Sequence, residues 1–172
     1  MEKYIQDDEA ISDSVNLLIS ILVRYPEIGT IRFEPKSNLL KLTFMFAGIL
    51  SAKKIAGIKQ LIIDSITAYH ILGKISAQKC EVKFSSYEHV TVLDFFRDVH
   101  TLSKNEIALV ITLLREKCKE RLVVDCNDSM LEEDLVIQEE VIESMLENMK
   151  SQREAHSLIG IREDGRVLVF NK

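Results

Sequence analysis

The chain of 172 residues has no tryptophan, two prolines, six glycines and three cysteines. The scarcity of glycine and proline excludes collagen-like and low-complexity chains. With 47% hydrophobic against 28% charged residues, the composition can bury a core and is not that of a disordered segment. Nowhere does the sequence approach the roughly 20 continuous apolar residues of a membrane-spanning helix. Its first ten residues are acidic where a secretory signal needs a basic start and an apolar stretch, so the expected location is cytoplasmic, with no membrane. Cys80, Cys118 and Cys126 are odd in number and lack CxxC spacing, which suits reduced thiols better than a disulfide framework or a zinc site.

A net charge of −5 argues against wholesale attraction to nucleic acid or anionic lipid. The acids are concentrated in residues 1–13 and 129–154, which together carry −10, while the stretch between them carries +4. A local surface of that middle stretch can therefore favour anions although the whole chain does not.

Periodicity divides the chain into elements. Ile11, Val15, Leu18 and Leu22 recur at helical spacing up to Tyr25, which precedes Pro26 and so disfavours the α region. Thr30–Glu34 and the run from Leu40 to Phe46 alternate around Pro35-Lys36-Ser37-Asn38 and predict a hairpin. Ile55, Ile58, Ile62, Ile66 and Tyr69 predict a second helix with Gly73 as its C-terminal cap. Cys80, Val82 and Phe84, a turn at Ser85–Glu88, then Val90 and Val92 predict a second hairpin. Ser103 and Glu106 form a capping box for a third helix carrying Ile107, Val110, Ile111, Leu114 and Cys118. Leu122-Val123-Val124 reads as a short strand. Ser129 caps a fourth helix from about Met130 to Glu154, and Glu163-Asp164-Gly165 joins a terminal hairpin.

The expected fold is one α+β domain over 1–172, with predominantly antiparallel hairpins and four helices in the order α-β-β-α-β-β-α-β-α-β-β. Helix and hairpin recur over 10–46 and 51–96, a spacing that would suit a pseudo-repeat, without residue-by-residue similarity.

No segment names a reaction. The fourth helix joins an apolar stripe to an acidic flank in which Glu139, Glu143 and Glu147 stack four apart, which reads first as a solvated face and, as the alternative, as a spacing suited to a divalent cation or a basic partner. Its stripe and the alternating terminal strands give the expected partner surface: Leu135, Ile142, Met145, Met149, Ile161 and Phe170. Ser51, Lys53 and Lys54 open the second helix, where an anion would offset the unfavourable placing of lysines at a helix N-terminus. Lys53, Lys54 and Lys59 with Arg115, Lys117, Lys119 and Arg121, and Tyr69 and Tyr87 for stacking, outline an RNA-binding alternative without any RNA-binding motif. His89, Asp94, Asp98 and His100 are dense in ligand atoms but lack metal-ligand spacing, and no metal or cofactor is expected. Cys126, before the fourth helix, is the best-placed nucleophile. The leading reading is a non-enzymatic interaction or regulatory protein that self-associates as a homodimer. An RNA- or phosphate-ligand-binding module and a Cys126 enzyme stand as alternatives.

Overall fold

The computed structural model describes residues 14–125, 132–151, 156–163 and 165–171. Alternating apolar positions make Thr30–Glu34 (β1) and Leu39–Ala47 (β2) a hairpin, turned where Asn38 takes a left-handed φ of 50°. Cys80–Tyr87 (β3) and Val90–Asp98 (β4) form the second hairpin, and Leu158–Glu163 (β5) and Arg166–Asn171 (β6) the third. The three hairpins join into one six-stranded antiparallel sheet in the order β3-β4-β2-β1-β5-β6. Residues 14–24 are helical (α1), followed by Ala52–Gly73 (α2), Lys104–Cys118 (α3) and Glu132–Ser151 (α4).

Apolar positions of one sheet face, including Ile31, Phe33, Leu40, Leu42, Phe44, Phe46, Leu93 and Phe95, are buried in a single core with the helices. From α1 come Leu17, Leu18, Ile21 and Leu22; from α2, Ile58, Ile62 and Ile66; from α3, Ile107, Val110 and Leu114; from α4, Ile142, Leu146 and Met149. All four helices therefore share one side of the sheet. Among the described residues, no helix is long and apolar enough to cross a membrane.

Several local expectations need correction. The left-handed residue closing α2 is Lys74, at φ 54°, one position after Gly73, which is still helical. β3 runs through Ser85, Ser86 and Tyr87, so the turn narrows to Glu88 and His89, with Glu88 at φ 47°. The strand expected at Leu122–Val124 is reduced to one antiparallel bridge between Leu122 and Phe46. Cys80, although its alternation with Val82 and Phe84 puts it on the core-facing side, is exposed, because it begins the edge strand β3, which has no neighbouring strand beyond it among the described residues; Cys118 is buried and both are free thiols. Ile11, Cys126, Ser129, Met130 and Asp164 lie outside the described residues.

The capping box of α3 is half formed. Ser103 Oγ accepts from the Glu106 N–H at 3.3 Å, but the Glu106 carboxylate turns inward instead of back to Ser103. There it meets Arg97 and the His70 ring, while Arg97 also donates to Asp98 and to Thr101 Oγ1. Arg97, Asp98 and Glu106 are all at most 1% exposed. Burial opposes the charge on Arg97, yet the bonds and charge of Glu106 outweigh it and hold the guanidinium above its ordinary pKa. This cluster pins the end of β4 to α2 and α3.

Candidate functional site

With every helix on one side, the opposite sheet face is uncovered among the described residues. Register places its side chains in rows. One row crosses all six strands as Glu81, Phe96, Lys41, Arg32, Ile159 and Phe170. The next contains Lys83, Asp94, Thr43, Thr30, Ile161 and Leu168. Met45 at 37% and Phe170 at 48% relative exposure, with Tyr87 at 67%, are its most open large side chains.

Two features at the centre of this face are unusual for a surface in water. Arg32 and Lys41 are direct cross-strand partners, and like charges so placed destabilise a sheet by roughly 0.2 to 1 kcal/mol. Arg32 Nε is also buried without a hydrogen-bond partner, the sole such side-chain nitrogen or oxygen among the described residues. Both features call for an acceptor supplied from above the sheet. Around them, the polar positions of β1 to β4 include Arg32, Lys41 and Lys83 against Glu34, Glu81 and Asp94, a neutral balance. Glu81 bonds Lys79 and Lys83, which together outweigh desolvation and hold its carboxyl below its ordinary range.

The expected partner residues separate into two groups. Ile142 and Met149 are buried in the chain's own core, and Met145 packs partly against it, so most of the α4 stripe is already covered from within. Leu135 is half-buried at a cavity between α1 and α4. Ile161 and Phe170 lie on the open sheet face. What remains exposed on α4 is Val136 and Ile137.

The acidic stack of α4 is divided among separate bases: Glu139 pairs with Arg24 at 2.7 Å, Glu143 with Lys104 at 3.5 Å and Glu147 with Lys150 at 3.0 Å. Among the described residues, no three His, Cys, Asp or Glu side chains come together as a metal site. Asp98, from the candidate metal group, belongs to the buried Arg97 cluster.

At the start of α2, Ser51 Oγ accepts from the Lys54 N–H at 3.1 Å and so caps its own helix, while Lys53 and Lys54 are exposed. Lys54, Lys117, Lys119 and Arg121 do share the wall of a shallow cavity of about 300 Å³, but Glu116 and Glu120 alternate with them. Arg115 turns away to Glu27 at 2.7 Å, and the Tyr69 hydroxyl is tied to Ser103 Oγ at 2.9 Å. The basic residues of the middle stretch thus form no continuous track for a phosphate backbone.

Two further constellations had no mark in the linear pattern. His70, Cys80, Lys59 and Thr67 line a cavity of about 490 Å³ between α2 and β3. Cys80 is open to solvent along the sheet edge, but it also lines this cavity, and that partial burial pushes its thiol up despite the nearby Arg97, so the thiol form predominates at neutral pH. At the β5–β6 end of the sheet, Arg24, Arg115, Arg162 and Arg166, distant in sequence, meet at one cavity of about 520 Å³.

The chain matches no family model, no curated protein and no solved structure.

Proposed function

We propose that the protein is a non-enzymatic interaction protein of the cytoplasm that works as a homodimer, two copies meeting through the open faces of their sheets. The observation that carries this reading is the unanswered pair Arg32 and Lys41 at the centre of an apolar and aromatic sheet face. In a two-fold interface the same patch faces itself. A neutral patch does not repel its own copy, and Glu34 and Glu81 of one copy are acceptors of the kind that Arg32 and Lys41 of the other lack. A nucleic-acid surface would instead require excess positive charge.

The dimensions are suitable. Six strands spaced about 4.8 Å apart, with runs of about 20 Å along each strand, give roughly 500 Å² in projection. Side-chain relief brings the accessible area towards the ~800 Å² that each partner contributes to a standard interface. Met45, Ile159, Ile161, Leu168 and Phe170 supply the apolar part, and sheets stacked face to face at about 10 Å interdigitate such side chains.

Sedimentation velocity over a wide concentration range tests the reading. The full chain is expected to sediment as a dimer and the Met45→Asp, Phe170→Asp double variant as a folded monomer. A monomer at every concentration for the unaltered chain overturns it, as does a dimer indifferent to both substitutions. A shift with RNA that weakens with salt and with Lys54→Glu, in place of self-association, would favour the nucleic-acid alternative.

A further inference from the structure

The cavity lies between α1, α4 and the turn end of the β5–β6 hairpin, where Arg162 comes from the helical side of the sheet while Arg166 and Leu168 belong by register to its open face. Its volume is about 520 Å³, within the range of roughly 300 to 1,000 Å³ typical of small-molecule sites. Four arginines from four different elements reach it, together with Ile19, Val23 and Leu135. An arginine cluster of this kind usually signals a surface ion-pair network, and part of it is one. Arg24 donates twice to Glu139 Oε1, at 3.0 and 2.7 Å, and Arg115 pairs with the buried Glu27 at 2.7 Å.

The other two are not neutralised in that way. Arg162 donates Nε to the Ile28 carbonyl at 2.8 Å and Nη2 to the carbonyls of Leu22 and Tyr25, all neutral oxygens. Burial lowers its pKa, only partly offset by the charges of Asp125 and Glu27, so this cation sits half out of water without a carboxylate in contact. Arg166 has no ion pair among the described residues. Glu163 stands across the β5–β6 ladder from Arg166, so among the described residues Glu27, Asp125, Glu139 and Glu163 match the four guanidiniums in number, and what the cavity offers an anion is guanidinium donors and not net charge.

We infer that this cavity binds a small amphiphilic monoanion, a carboxylate with a short apolar body. Its head group would accept from Arg162 and Arg166 as charge-assisted bonds, and its body would lie against Ile19, Val23 and Leu135. Guanidinium forks match a planar carboxylate, and the apolar wall gives selection against bare inorganic anions.

Isothermal titration of the full chain with octanoate, octanol and inorganic phosphate tests the site. Octanoate is expected to bind about tenfold or more tightly than either octanol or phosphate, since each lacks one of the two recognised parts. Arg166→Gln, at an unchanged thermal midpoint, and Arg162→Gln are each expected to weaken octanoate about tenfold. Equal binding of octanol shows an apolar cleft only, and equal binding of phosphate an unselective anion site; either overturns the inference. So do the absence of octanoate binding at millimolar concentration and indifference to both substitutions. Should a variant fail to fold, the comparison of three probes on the unaltered chain still decides.

Discussion

Gly160 and Ile31 are cross-strand partners so close that a Cβ built on the glycine would lie 2.7 Å from Ile31 Cγ2 and 2.9 Å from Leu22 Cδ1. The missing side chain is what lets α1 settle onto the β1–β5 pair. Gly160→Ala is expected to destabilise the fold by about 1 to 3 kcal/mol through overpacking. Urea unfolding reads this directly. Ile31→Ala removes the obstructing methyl, so the double variant should lose less than the two single losses added together.

Glu106 is fully buried between Arg97 and His70. Glu106→Gln leaves the Arg97 charge in the interior with Asp98 alone and is expected to cost about 3 to 5 kcal/mol. Replacing the Arg97–Glu106 pair together by methionine and leucine should recover most of that loss. A recovery of less than about 1 kcal/mol would show that the bonds of Arg97 to Thr101 and the Lys79 carbonyl matter more than the paired charges.

Asp98 gives the acid limb of stability. Burial raises its pKa, but the Thr101 hydroxyl, the Lys79 N–H and the Arg97 charge together outweigh burial and hold it below the ordinary carboxylate value. A depressed folded-state pKa means that the ionised form favours folding above about pH 4, and that this contribution disappears as pH falls through the lower folded value. Asp98→Asn should therefore cost about 1.5 to 3 kcal/mol at pH 7 and make unfolding stability less steep in pH below about 4. Denaturant titrations at a series of pH values compare the slopes.

Cys80 and Cys118 differ in access while sharing a thiol pushed up by burial. Alkylation followed by peptide mass spectrometry should label Cys80 in the folded protein, slowly at neutral pH and faster above the usual cysteine range of about 8.5. Cys118 should react only on unfolding. Equal rates for the two would contradict the burial difference.

The elements were legible because period-two alternation and capping residues act over a few positions. The Asp-Gly and Pro35–Asn38 signals located the hairpin turns, and the hairpin register that follows from them already pairs Arg32 with Lys41. The order in which hairpins join is a different matter. β1 pairs with β5, and nothing local in Ile31 or Leu158 states that preference. Cys80 shows the same boundary: its alternation correctly gives it the core-facing side of β3, but exposure depends on β3 being an edge. The α4 stripe was readable as apolar, while its cover, α1 and α3 of the same chain, was not. The four-arginine cavity left no trace because Arg24, Arg115, Arg162 and Arg166 are brought together only by tertiary packing.

The strand order also sets a timetable. β1 has one of its two edges closed by β2 within a few residues, whereas its other neighbour, β5, is synthesised about 120 residues later. At about 5 to 20 residues per second on the ribosome, that edge waits roughly 6 to 24 s for its partner. Throughout that interval Ile31 and Phe33 border an unpaired strand able to template a neighbouring nascent chain. The acids of α4 are made just before the hairpin that closes this gap, so slow translation through that helix should raise aggregation of the newly made protein even though the finished fold is unchanged.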